Sequence, residues 1–107
     1  MSLLGWWTRH RRARQRVLFE DALKHLHAGE WQGRLGTPDS IAGALGLSRR
    51  AAVRLCDRMQ VRGWLRLAEG GLRLTPAGEH LALQVIRAHR LWERLSLPKT
   101  SSGVVRA

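Results

Sequence analysis

Apolar residues recur along the chain at two different periods. Val17, Leu18, Ala22, Leu23 and Leu26 stand three and four apart, which predicts an amphipathic helix from Arg16 to about Ala28, with Gly29 as its stop. Gly33, Gly36 and the polar residues around them predict a loop, and Trp31, at its start, is expected to lie over the core as a lid. Thr37-Pro38-Asp39-Ser40 reads as a helix start: Thr37 can cap, Pro38 fits the first helical position, and Asp39 favours the positive end of the dipole. Pro38, Ile41, Ala42 and Leu45 share one face of this short helix, and Gly46 permits the turn that ends it. A second helix follows from Arg49 to about Arg62, with Ala52, Leu55, Cys56 and Met59 as its buried stripe. Gly46-Leu47-Ser48 is then a three-residue turn between two helices, with Ser48 capping the second, which is the spacing of a helix-turn-helix unit.

Beyond Gly63 the period changes to two. Leu65, Leu67, Leu72 and Leu74 alternate with other residues on either side of Ala68-Glu69-Gly70-Gly71, predicting a hairpin with these leucines inward and Arg66 and Arg73 outward. A hairpin placed directly after such a helix is a wing. Thr75-Pro76 repeats the cap-then-proline start, and Leu81, Ala82, Val85, Ile86, Trp92 and Leu95 carry a last helix to about Ser96, before Pro98. The expected fold is therefore mainly α with a small β-hairpin, a winged helix-turn-helix. Residues 17–96 form this domain, 1–16 a basic N-terminal arm or juxtamembrane segment, and 97–107 a flexible tail.

Composition narrows the class. At 107 residues and 44% apolar content the chain has room for one core and one domain, not for a multi-domain enzyme. Nineteen basic residues against eight acidic ones give a net charge of +11, and all but Lys24 and Lys99 of the basic residues are arginine, the side chain best suited to forked contacts with phosphate and guanine. A folded domain with this charge expects an anionic partner. Cys56 is the sole cysteine, which excludes an internal disulfide or a paired-cysteine zinc site and points to a cytoplasmic setting. Its place on the buried stripe marks it as a small core residue. No apolar run is long enough to span a bilayer, and the short apolar start, with its charges after it, is not a cleavable signal peptide. No phosphate loop, serine-hydrolase elbow or zinc-protease motif is present, so a binding role is expected.

Two charge features carry the chemistry. Arg9 to Arg16 holds five arginines in eight residues. It reads as a solvated arm or the polar start of a helix, as a nucleic-acid contact, or, with Leu3 to Trp7 before it, as the juxtamembrane end of a membrane span. Arg50, Arg54 and Arg58 stand four apart on the second helix of the turn unit, where like charges repel and the helix start prefers anions. That ridge becomes favourable when phosphates or base edges lie opposite. Ser48, Arg49, Arg50, Arg54 and Arg58 are thus candidate groove contacts, and Arg66 and Arg73 candidate wing contacts. On the last helix, His89 and Glu93 are four apart and share a face, a spacing that suits two ligands of one metal ion or a surface pair.

Several runs resemble the N-terminal half of the iron- and manganese-dependent repressors of the diphtheria-toxin-repressor family. They are Glu20-Asp21-Ala22-Leu23-Lys24, the run from Ile41 to Ser48, Met59 to Leu65, Leu72 to Glu79, and Ala88-His89-Arg90-Leu91-Trp92-Glu93-Arg94-Leu95. The resemblance implies a metal site for Fe(II) or Mn(II) at Asp21, His89 and Glu93, and a homodimer on double-stranded DNA. Lys24 departs from it, standing where manganese-type members place a second carboxylate, and the family's remaining ligands and dimerisation helices lie beyond the segment that corresponds to this chain. Arg50 and Arg54 also replace shorter or uncharged residues at the DNA-reading positions, which favours guanines.

Two functions follow as expectations. The leading one is the DNA-binding domain of a metal-dependent transcriptional regulator. The alternative is a cytoplasmic repressor-like domain of a membrane metal ABC transporter permease, attached through the N-terminal segment.

Overall fold

The computed structural model describes residues 3–96, and of these the side chains of residues 5, 9 and 11–92. The elements are α1 (Leu3–Trp31), α2 (Pro38–Leu45), α3 (Arg49–Val61), β1 (Leu65–Ala68), β2 (Gly71–Leu74) and α4 (Pro76–Ser96). This is a winged helix-turn-helix, mainly α with one hairpin.

The first helix is longer than its apolar period predicts. It begins at Leu3, runs through all five arginines of the basic block and passes Gly29 to end at Trp31. Arginine, alanine, leucine and glutamine are strong helix formers, and like-charge repulsion costs only about 0.2–0.5 kcal/mol per pair, so a helix anchored by the burial of Phe19, Ala22, Leu23 and Leu26 propagates back through the block. Of the alternatives left open for this block, the helical one is observed. Gly29 acts differently from a stop: its carbonyl accepts from Arg34 N at 2.7 Å, and a Cβ there would meet the Arg34 carbonyl oxygen at 2.9 Å. The residue accommodates the returning chain. Trp31, expected as a lid, is 83% exposed, because the two extra helical residues carry it to the far end of α1. Phe19 replaces Val17 on the buried stripe, Val17 being 52% exposed.

The turn unit forms as its local signals dictate. Thr37 Oγ1 accepts from Ser40 N, while Thr37 N donates to Ser40 Oγ, a reciprocal capping box at the start of α2. Gly46 closes α2 at φ 71°, a left-handed conformation that a side chain would oppose. Ser48 Oγ then accepts from Ala51 N at 3.1 Å and caps α3. Ile41, Leu55 and Met59 from this unit meet Leu23 and Leu26 of α1 in the fully buried core.

In the hairpin Leu65 pairs with Leu74, Arg66 with Arg73, and Leu67 with Leu72. Leu65, Leu72 and Leu74 are buried as the alternation predicts, whereas Leu67 is 71% exposed. The reason is asymmetric cover. The Gly36 carbonyl accepts from Leu72 N at 2.8 Å, laying the loop after α1 along β2, while β1 is the free edge. Glu30 of α1 adds a further tie, its Oε2 accepting from Leu74 N at 2.7 Å.

Thr75 joins the wing to α4. Its hydroxyl donates to the Gly63 carbonyl at 2.6 Å and accepts from Gly78 N at 3.0 Å, and its backbone N donates to the Trp64 carbonyl. That carbonyl sits where a side chain at Gly78 would be, so only glycine fits. α4 returns antiparallel along α1, with His27 beside Glu79 near one end and Glu20 beside His89 further along. Pro98 and the expected tail over 97–107 lie outside the described residues.

Candidate nucleic-acid interface

Burial of Ala52, Leu55, Cys56 and Met59 turns the opposite side of α3 outward, leaving Arg50, Arg54 and Arg58 exposed. Arg66 and Arg73, directly opposite one another on β1 and β2, are likewise exposed on the outer face of the wing. Among the described residues none of these five arginines is in an ion pair. Like charges placed across an antiparallel pair repel, and so do like charges four apart on a helix. The fold holds both arrangements without an internal counter-charge, as a surface built for an external polyanion does.

The other two candidates here are partly engaged. Arg49 Nε lies 3.4 Å from Asp39 Oδ1, a largely exposed pair across the turn that leans its guanidinium toward α2. Ser48 uses a lone pair as the α3 cap, leaving its hydroxyl hydrogen to donate to a phosphate. Arg62, which the spacing does not distinguish from the ridge, is exposed but lies over two aromatic rings. Its guanidinium lies 4.7 Å from the Phe19 ring centre and 5.7 Å from that of Trp64, and the two rings meet edge to face at 5.3 Å. The aromatic neighbours Phe19 and Trp64 are distant in sequence, so periodicity alone could not reveal this role.

The residues expected to hold metal meet a different cation. Lys24 Nζ lies 3.1 Å from His89 Nδ1 and 3.8 Å from Asp21 Oδ1, while His89 Nε2 faces Glu20 Oε1 at 3.7 Å. The ammonium therefore stands between Asp21 and His89, where a shared metal ion would have to sit. The side chain of Glu93 lies outside the described residues. Among the described residues no group of three or more His, Cys, Asp and Glu could hold a metal ion, and the Lys24 ammonium lies between Asp21 and His89. A second α1–α4 contact places His27 Nδ1 3.1 Å from Glu79 Oε2, close but off the line of a hydrogen bond.

Cys56 is 3% exposed. Burial, with a smaller contribution from the Asp57 charge, raises its thiol above the ordinary value of 9.0, as befits an inert core residue.

The paired helices, the short turn between them and the wing define a winged-helix fold of the kind used by transcription regulators. The crystal structure of the reduced form of MarR from E. coli is similar, with a TM-score of 0.57 at 18% identity over 97% of this chain and 87% of that one. No protein-family model matches the sequence, and no curated protein matches it. The likeness thus bears out the winged-helix part of the sequence resemblance and does not extend to the diphtheria-toxin-repressor family in particular. Among the described residues no helix is long and apolar enough to cross a membrane.

Proposed function

We propose that the chain is the DNA-binding domain of a transcription regulator. The observation that carries this reading is the geometry of five exposed arginines, three aligned along α3 and two opposite one another across the wing, none in an ion pair among the described residues. In it α3 enters the major groove. Arg50 and Arg54 reach base edges, with a preference for guanine, where each guanidinium forks onto O6 and N7. Ser48 donates to a phosphate at the helix start, Arg58 neutralises a phosphate further along, and Arg66 and Arg73 do so from the wing. Arg49, held toward Asp39, adds charge near the turn.

No metal step belongs to this function. With Lys24 between Asp21 and His89, the contact between α1 and α4 is made by the protein's own charge, and DNA binding proceeds without Fe(II) or Mn(II). The test is duplex DNA binding by the chain and by its Arg50→Gln/Arg54→Gln variant across a salt series in the presence of a chelator. Loss of affinity in the variant, with weaker discrimination for guanine, is the expected result; equal binding by both proteins would overturn the assignment.

A further inference from the structure

The arginine block is part of helix α1, and its later residues face α3 across a cleft. Arg11, Arg14, Gln15 and Leu18, at i, i+3, i+4 and i+7, share one side of α1, and with Arg12 they line a cleft of about 440 Å³ whose opposite wall is Arg58 of α3. Leu18 packs against the core beneath it, which ties this stretch of α1 to the domain.

Four of the six lining residues are arginines and none is acidic. The first acidic residue of the chain is Glu20, so no carboxylate on the preceding stretch of α1 can balance them. Among the described residues Arg11, Arg12, Arg14 and Arg58 enter no ion pair. Arg58 belongs at once to this cleft and to the α3 ridge, which makes the cleft a continuation of the candidate interface. Arg58 lies about 12 Å of helix beyond Arg50, and each DNA strand carries one charge per about 3.4 Å of axis, so a backbone met by Arg58 presents further phosphates within reach of the cleft.

We infer that Arg11, Arg12, Arg14 and Arg58 form a phosphate clamp that grips the duplex DNA backbone beyond the contacts of the turn unit and wing. This rests on the DNA-binding reading and extends it. A disordered basic arm adds affinity wherever phosphate is near, whereas a helical clamp holds phosphates at a set distance from α3 and so helps fix the protein's register on the duplex.

The experiment compares wild type, Arg11→Gln/Arg12→Gln/Arg14→Gln, the corresponding triple lysine variant and Arg50→Gln/Arg54→Gln. Each is titrated with a duplex of about two helical turns over a salt series, and separately with phosphatidylglycerol vesicles. All three clamp positions are exposed, and matching circular dichroism melts establish that the variants fold. The clamp predicts that the triple glutamine variant lowers the slope of log K against log salt by about 2 to 3, one phosphate contact per arginine, and that the lysine variant restores most of it. If the ridge variant weakens DNA binding while the triple glutamine variant leaves the slope unchanged, the DNA reading stands and the clamp is overturned, whether or not vesicle binding is lost. If neither variant changes DNA binding, the reading and the clamp fail together.

Discussion

The Lys24 ammonium lies 3.1 Å from His89 Nδ1, joining α1 to α4 across 65 residues of sequence. Asp21 and Glu20 stand on either side of this contact, so the chain supplies a cation of its own where the sequence resemblance implies a metal ion. Millimolar Mn(II) and EDTA should therefore leave the melting temperature unchanged. Lys24→Glu removes the ammonium and adds a carboxylate beside Asp21, Glu20 and His89, and should acquire stabilisation by Mn(II). A wild-type melting shift with Mn(II) that disappears in His89→Ala would contradict this account of the cluster.

Cys56 sets an alkaline limit on stability. Its thiol is raised in the folded state by burial and by the Asp57 charge, so the unfolded chain ionises first as pH rises. The associated stability is whole below the unfolded thiol's value of 9.0 and is lost as pH climbs from there through the higher folded value. Urea unfolding of the Cys56→Ala variant should lack that alkaline decline relative to wild type. In the native protein, thiol reagents should react only at the rate of unfolding.

Gly78 faces the Trp64 carbonyl at the start of α4. Gly78→Ala forces backbone to move and should destabilise the fold by about 1–3 kcal/mol in urea titrations. Thr75→Val removes the cap and the bond to Gly63 and should cost about 1 kcal/mol.

The leucine pair opposite one another in the hairpin should separate cleanly by mutation. Leu72→Ala empties a buried position and should cost about 2–5 kcal/mol, whereas Leu67→Ser, at an exposed edge, should change stability by less than about 0.5 kcal/mol. Equal costs would show that the wing closes over both residues in solution.

These residues also show what can be read from sequence. Thr37, Gly46 and Ser48 were legible because caps act within three or four positions, and the α3 ridge because helical spacing is local. Leu67 and Leu72 follow the same alternation; only the loop at Gly36, brought against β2 by the fold, distinguishes them. Local pattern makes Gly29 a helix stop and so puts Trp31 over the core, whereas the glycine's role, to admit Arg34, depends on a chain reversal that local pattern does not show. The start of α1 was similarly hidden, since an arginine run satisfies the patterns of an arm and of a helix alike. Resemblance and spacing on single helices point to Asp21, His89 and Glu93, and neither reveals that Lys24 of α1 reaches His89 of α4.

The central claim is that α3 and the wing bind duplex DNA through their exposed arginines. Fluorescence anisotropy of a labelled duplex, titrated with wild type and with Arg50→Gln/Arg54→Gln in EDTA, tests it most directly. The three phosphate-facing arginines Arg58, Arg66 and Arg73 alone predict that wild-type affinity falls by at least about 40-fold between about 50 and 200 mM salt. The variant should bind at least about tenfold more weakly with less discrimination for guanine. Wild-type binding indifferent to salt, or a variant that binds as tightly and as steeply as wild type, would contradict the account.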